Sequence, residues 1–220
     1  MNKKHLLMAA AVLVVAAIAG YVVWDRQQTQ NLQGATLARI DNTTQALRAA
    51  LAPSNDSIAQ SQVVAAAIER AEQDLAALRS TATSRILLLG AGADTYLHTV
   101  RELLKRQAAM LVLDTSVRNG IAAFRDHLSA GNRAAANWTS EAVRLKNRLE
   151  QDFREYQRAV DAHTSIADGY ADAHKALAGF VAEGRIPPTT EITAARDRTT
   201  AAARTLTSEV ETARRMAAPR

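Results

Sequence analysis

The sequence predicts an all-α protein, with an N-terminal transmembrane helix followed by an elongated antiparallel bundle of about four to five long helices. Three observations predict this class. Alanine, the strongest helix former, supplies 47 of the 220 residues. Only four prolines interrupt the chain, and aromatic residues make up 4% of it, which argues against an aromatic-rich β-sandwich. Beyond the N-terminus, apolar residues recur at three- and four-residue spacing, the period of an amphipathic helix.

The first element is an apolar run from Leu6 to Trp24, which follows Lys3 and Lys4 and contains no charged residue. As a helix it would span about 28 Å, close to the ~30 Å hydrocarbon core of a bilayer. We therefore predict a signal-anchor at this position. Lys3 and Lys4 would lie at the cytoplasmic interface, with Tyr21 and Trp24 at the opposite interface.

A cleavable signal peptide is the alternative interpretation of this run. Ala17-Ile18-Ala19 fits the small-x-small pattern of a cleavage site, with Gly20 as the first residue of the mature chain. The apolar run continues past this site as far as Trp24, which favours an uncleaved anchor. Both interpretations place the bulk of the chain across the membrane.

The expected organisation has four segments, and no second apolar run of comparable length follows the first. These segments are a cytoplasmic N-terminus at 1–5, the anchor at 6–24, a periplasmic bundle at 25–217 and a C-terminal tail at 218–220. The alanine-rich and arginine-rich composition suggests a bacterium, so the expected location is the inner membrane. The chain has no cysteine, which excludes disulfides, thiolate metal sites and cysteine nucleophiles.

The anchor helix should continue to Ala52, because apolar spacing persists to that point and proline follows. Pro53 to Asp56 then forms a turn, in which Asp56 or the residue after it caps the next helix. The second helix is predicted from Ile58 to Leu89. We expect the segment Gly90-Ala91-Gly92 to break it.

The third helix should start at Asp94 or Thr95 and run to Leu128. Asn119-Gly120 is a candidate interruption within it, because this dipeptide favours turns. Ser129 to Asn132 supplies the next turn.

A fourth long helix is expected from Trp138 to Val181, with Gly169 as a candidate bend. Gly184 to Pro188 is the clearest loop in the chain. The last helix then shows heptad-like spacing from Ile192 to Ala213.

Partner binding is expected along this last helix. Short turns make the helices antiparallel neighbours, but alanine at many seam positions buries little apolar area per residue. We therefore predict a slender bundle that binds other envelope or membrane proteins, or a second copy of itself. Helical phase selects four residues as partner contacts: Ile192, Thr199, Leu206 and Val210.

The most site-like pattern is an Asp-Ala-His unit that ends at His163 and recurs at His174. Eleven residues separate the two histidines, so they share a helix face but lie roughly 16 Å apart. One metal ion needs its ligands within a few ångströms, so we interpret this stretch as a polar, partly exposed face on which His163, Tyr170 and His174 flank the core. The segment Gly90 to Asp94 lacks the lysine of a phosphate loop. We predict no metal, no cofactor and no enzymatic activity.

The net charge of +5 does not predict nucleic-acid binding. Acidic and basic residues alternate along the chain, and no basic stripe with interleaved aromatics is present. The leading functional hypothesis is therefore a membrane-anchored scaffold or adaptor. A sensor that binds a small ligand between its helices is the second hypothesis, and its layout is broadly similar to the periplasmic four-helix sensing domains of chemoreceptors. A cleaved, secreted helical accessory protein is the third.

Overall fold

A computed structural model describes residues 3–54, 56–81, 83–130 and 136–216, with side chains from residue 15 onward except that of residue 130. Every regular element in this part of the chain is a helix, which confirms the predicted all-α bundle. They are α1 (Lys3–Leu51), α2 (Ser57–Arg79), a 3₁₀ helix (Thr83–Ile86), α3 (Leu87–Ala130), α4 (Trp138–Ala178) and α5 (Thr189–Met216). The predicted tail at 218–220 lies outside the described residues.

The predicted anchor belongs to α1, whose backbone runs without a break from Lys3 to Leu51. Within the described part of the chain, no helix is sufficiently long and apolar to cross a membrane. Residues 6–14 of the predicted span have side chains outside that part. The segment and the bundle are therefore consecutive parts of a single helix.

The turn after α1 forms as predicted. Asp56 precedes α2, and its carboxylate accepts hydrogen bonds from the backbone N–H groups of Ile58 at 2.9 Å and Ala59 at 3.0 Å. This side chain therefore satisfies two of the unpaired donors at the start of a helix.

The predicted end of the second helix is wrong. α2 ends at Arg79 instead of continuing to Leu89, and the 3₁₀ helix follows. The hydroxyls of Ser80 and Thr81 both donate to the carbonyl oxygen of Ala77, at 3.0 and 2.7 Å. These bonds satisfy a carbonyl near the end of α2, where a helix leaves carbonyl groups without backbone donors.

The predicted break at Gly90 to Gly92 is wrong as well, because both glycines lie inside α3. A Cβ atom on Gly92 would lie 2.5 Å from the carbonyl oxygen of Ala176 on α4. Glycine here allows two helices to approach closely. The candidate interruption at Asn119-Gly120 and the candidate bend at Gly169 also lie within continuous helices, α3 and α4.

α3 and α4 run antiparallel. Ser116 Oγ donates to Asp152 Oδ2 at 2.7 Å, and Gly92 lies against Ala176 much nearer the start of α3. Buried residues form two separate clusters along this pair. The proximal core, built around α1, includes Ile40, Leu47, Val64, Leu75, Tyr96, Leu104, Tyr170 and Leu177. The distal core, built from α3, α4 and α5, includes Val117, Ile121, Phe124, Leu149, Phe153, Leu206 and Val210.

Candidate anchor and partner surfaces

The described part of the predicted anchor is an exposed apolar surface. All large apolar side chains between residues 15 and 24 are exposed to solvent: Val15, Ile18, Tyr21, Val22, Val23 and Trp24. The rings of Tyr21 and Trp24 lie 6.0 Å apart between their centres. A large contiguous apolar surface of this kind marks contact with lipid or with another protein.

Arg85, in the 3₁₀ helix, contacts the end of this apolar segment. Its Nη2 atom lies 3.3 Å from Asp25 Oδ1, and its guanidinium carbon lies 5.1 Å from the centre of the Trp24 ring. Both contacts are partly exposed, so each stabilises the fold by no more than about 1 kcal/mol. Together they hold the turn before α3 beside the residues where the apolar segment ends.

A recess of about 530 Å³ opens next to this turn. Gln33 and Leu37 of α1 line one side of it, and residues 84–89 line another. Phe180, which follows α4, completes the lining with Gly179. The recess therefore lies where α1, the turn before α3 and the end of α4 meet.

The loop between α4 and α5 is attached to α1 by side chains. Arg185 donates two hydrogen bonds to the carboxylate of Asp41. Arg48 donates to the carbonyl oxygen of Gly184 at 3.0 Å and lies 3.7 Å from Glu191. Gly184 has a φ of +78°, which other residues rarely adopt, so glycine is required for this loop conformation.

Two buried tyrosines extend this attachment into the proximal core. Tyr96 shares a 2.7 Å hydrogen bond with Thr44 of α1, and Tyr170 donates to the carbonyl oxygen of Pro187 at 2.8 Å. Burial raises the pKa of Tyr96 to about 12 and also raises the pKa of Tyr170. Both hydroxyls therefore stay protonated at neutral pH and link α1, α3, α4 and the loop.

α1 ends between the two cores, at a level that we call the waist. The carbonyl oxygen of Ala50 accepts hydrogen bonds from Gln60 Nε2 at 2.5 Å and from Gln107 Nε2 at 2.8 Å. The carbonyl oxygen of Leu51 accepts one from Arg198 Nη2 at 3.1 Å. These donors satisfy carbonyls that the end of any helix leaves unpaired.

His163 lies on α4 between Val160 of the distal core and Ala167 of the proximal core. Its side chain is only 2% exposed, and its Nδ1 atom has no hydrogen-bond partner among the described residues. Burial lowers its pKa to about 4. The predicted partly exposed face is therefore wrong for His163, and also for Tyr170, which is buried.

The two histidines of the repeated Asp-Ala-His unit are not brought together with other ligands. His174 is half-buried, and its ring centre lies 6.1 Å from that of Tyr170. Within the part of the chain that the structure describes, no group of three or more His, Asp or Glu residues could hold a metal ion.

The predicted partner contacts lie mostly inside the bundle. Ile192 is buried in the proximal core, and Leu206 and Val210 are buried in the distal core. Thr199 is half-buried and donates to the carbonyl oxygen of Ala195 at 3.2 Å. Their role in partner binding remains a prediction, although the chain itself already covers three of these residues.

Sequence reasoning missed the opposite face of α5. The exposed residues there follow helical spacing and are small: Ala194, Ala201, Thr205, Ser208 and Thr212. The heptad pattern was the available signal, because residues half a turn away from a buried stripe must face outward. Of the predicted interface residues at the other end of the chain, Tyr21 and Trp24 are exposed, while the side chains of Lys3 and Lys4 lie outside the described part.

No protein-family model, curated protein or solved structure matches this chain. Its class is therefore defined by its own fold, an all-α antiparallel helical bundle with an exposed apolar segment at residues 15–24 of α1.

Proposed function

We propose that this protein is a single-pass, membrane-anchored scaffold or adaptor in the periplasm of a bacterium, where its bundle binds other envelope proteins or a second copy of itself. One observation carries the proposal. α1 is a single unbroken helix, exposed and apolar from residue 15 to residue 24 and buried in the proximal core from Ile40 onward. A helix of this kind fixes the bundle directly to whatever covers its apolar segment.

The dimensions of the bundle support a scaffold. From Trp24 to the waist, α1 rises about 40 Å at 1.5 Å per residue. From Gln107, which bonds to the end of α1, to Ala130, α3 rises a further ~35 Å. An anchored chain would therefore present binding surfaces at up to roughly 75 Å from the membrane.

The exposed face of α5 is the partner surface that we favour. Its small side chains, such as Ala201 and Thr205, would allow a partner helix to approach closely. The buried residues Leu206 and Val210 fix the rotation of α5 and so keep this face outward. Leu206 and Val210, which the sequence predicts as partner contacts, therefore orient the exposed face of α5.

A mild-detergent pull-down of the full chain from native membranes, analysed by mass spectrometry, tests this function. The test variant carries Ala201→Arg and Thr205→Arg on the exposed face of α5. Gln62→Arg and Ala66→Arg, at two exposed positions on α2 with the same spacing, form the matched control. We expect one set of envelope proteins to co-purify with the unaltered chain and the control and to be lost with the test variant.

Two results would contradict the proposal in different ways. If the test variant retains the whole set, the partner surface is not on α5. If the unaltered chain is recovered from the membrane alone and as a monomer, the scaffold function itself is wrong.

Ligand sensing is a second candidate, favoured by the waist. His163 Nδ1 and Gln107 Oε1 are buried there without hydrogen-bond partners among the described residues, and such atoms are suited to bind a polar ligand. A thermal-shift measurement of the full chain across a broad metabolite set tests this candidate. A ligand that stabilises the unaltered chain but not a His163→Leu variant would support sensing, and no shift with any metabolite would count against it.

A further inference from the structure

Two stretches of the chain at the end of the bundle beside the apolar segment are nearly uncharged, although 22% of the chain is charged. Between residues 80 and 93 the only charged residue is Arg85, and residues 176–182 contain none. These two stretches place three large apolar side chains in solvent. Leu87 is 67% exposed, Leu88 is 71% exposed and Phe180 is 44% exposed.

These side chains form one patch, which we call the apolar end. Leu87, Leu88 and Phe180 all line the recess described above, although they come from two different helix ends. Single exposed apolar residues are common on proteins, but a cluster from separate elements marks an interaction surface.

We infer that the apolar end rests on the lipid bilayer, with Leu87, Leu88 and Phe180 inserted among the headgroups. This inference rests on the proposed membrane anchor. We choose lipid as the occupant because the apolar end adjoins the proposed anchor. Arg85 joins the apolar end to Trp24 and Asp25, where the apolar segment leaves the membrane. Arg85 is the only charged residue in the two stretches, and Asp25 pairs with it, so few charges stand against lipid there.

This placement requires α1 to tilt away from the bilayer normal. Gln33, which lines the recess, lies nine residues beyond Trp24 on α1. An upright helix would therefore hold it about 13 Å above that residue, beyond a headgroup layer about 5–7 Å thick. Membrane helices tilt by up to ~40°, and interfacial contacts help to set the direction. A tilt of α1 towards α3 lowers the apolar end onto the bilayer.

Depth-dependent fluorescence quenching in lipid nanodiscs tests this inference on the full chain. The chain has no cysteine, so single Cys variants can each carry one environment-sensitive fluorophore. The labelled variants are Leu88→Cys and Phe180→Cys at the apolar end and Ile18→Cys in the anchor. Val143→Cys, on a residue that is 52% exposed near the start of α4 in the distal half, is the matched control. The nanodiscs contain phosphatidylcholine and phosphatidylglycerol, with a nitroxide on the lipid headgroup or on the acyl chain.

We expect headgroup nitroxides to quench the labels at 88 and 180 and to leave the label at 143 unchanged. Acyl-chain nitroxides should quench the label at 18. If the label at 18 is quenched while those at 88 and 180 behave like the control, the inference is overturned and the anchor stands. If the label at 18 also escapes quenching, the anchor itself is wrong and both proposals fail.

Discussion

The proximal and distal cores are built differently from the same long helices. The proximal core collects residues from all five helices and encloses polar groups such as Thr43 and Asp74, which share a 2.9 Å hydrogen bond. The distal core draws only on α3, α4 and α5 and relies on large apolar side chains, including Phe124 and Phe153. More helices therefore surround the end of the bundle that is tied to α1, and buried side chains there form hydrogen bonds such as Thr43–Asp74 and Thr44–Tyr96.

This difference gives the two halves different roles in the proposed function. The proximal half attaches the bundle to α1, and the distal half presents partner surfaces. Only the proximal core contains α1, and only there do side chains attach the α4–α5 loop to it. The distal half depends on three helices that pack side by side. We therefore expect damage to the distal core to stay local, and changes at the waist to affect the coupling of the two halves.

The largest effect is expected from Phe124→Ala. Removing this buried ring should lower the free energy of unfolding by about 3–5 kcal/mol, because it leaves a cavity in the three-helix core. Hydrogen exchange should speed up in the distal parts of α3, α4 and α5 while residues 36–51 of α1 keep their protection. Phe180→Ala, at an exposed ring, is the control and should change stability by less than about 1 kcal/mol. Equal loss of protection in both halves would show that the two cores act as one.

The next largest effect is a loss of folding stability at acidic pH, caused by His163 at the waist. The pKa of His163 is about 4 in the folded chain, below its ordinary value of 6.5. The folded state therefore binds fewer protons than the unfolded state at acidic pH. The stability that neutral His163 contributes is complete above pH 6.5 and is lost as the pH falls towards 4, a loss of about 3 kcal/mol.

Denaturant unfolding between pH 4 and pH 7.5 measures this contribution. His163→Leu should remove that part of the pH dependence, because no proton can then bind at the waist. The unaltered chain, measured over the same pH range, is the reference. An identical pH profile for the unaltered chain and the His163 variant would contradict the assignment.

A smaller loss of stability is expected from alanine substitutions at two glycines that lie in helix–helix contacts. Gly92→Ala, in the proximal half, forces a Cβ atom against the carbonyl oxygen of Ala176 and should cost about 1–3 kcal/mol. Gly120→Ala, in the distal half, places its Cβ 3.3 Å from a flexible methyl group of Leu149 and should cost less. Thermal unfolding of the two variants side by side checks the order. A larger loss for Gly120→Ala would mean that the distal helices are the more tightly packed.

The smallest effect is a gain in stability from Gly169→Ala. Gly169 is exposed within α4, and a Cβ atom there would meet nothing within 4 Å. Alanine should therefore raise the free energy of unfolding by about 0.5–1 kcal/mol, since it restricts the unfolded chain without a clash. Any loss of stability at this position would argue that α4 bends there, as the sequence alone suggested.

Local chemistry explains which parts of the fold could be predicted from the sequence. Pro53 and Asp56 mark the turn after α1 because proline cannot continue a helix and aspartate caps the next one. The glycines at 90 and 92 misled the prediction because the same residue type serves both helix ends and close helix packing. For Gly92, the role depends on Ala176, more than eighty positions away in the chain.

The candidate site shows the same limit. The heptad phase correctly identified Ile192, Leu206 and Val210 as one stripe, but periodicity cannot distinguish a stripe that faces its own bundle from one that faces a partner. The apolar end was not predicted, because Leu88 and Phe180 meet only once α3 and α4 are antiparallel. The waist was missed for a similar reason, since Gln107 and Arg198 reach the end of α1 from distant helices.

Attachment to the membrane through α1 is the central claim, and one measurement tests it most directly. Native membranes are washed with alkaline carbonate, and the intact mass of the chain is determined in the pellet and in the supernatant. We predict that the chain stays in the pellet and that its mass includes residues 6–24. A chain released into the supernatant with Gly20 as its first residue would contradict the anchor and favour a secreted protein.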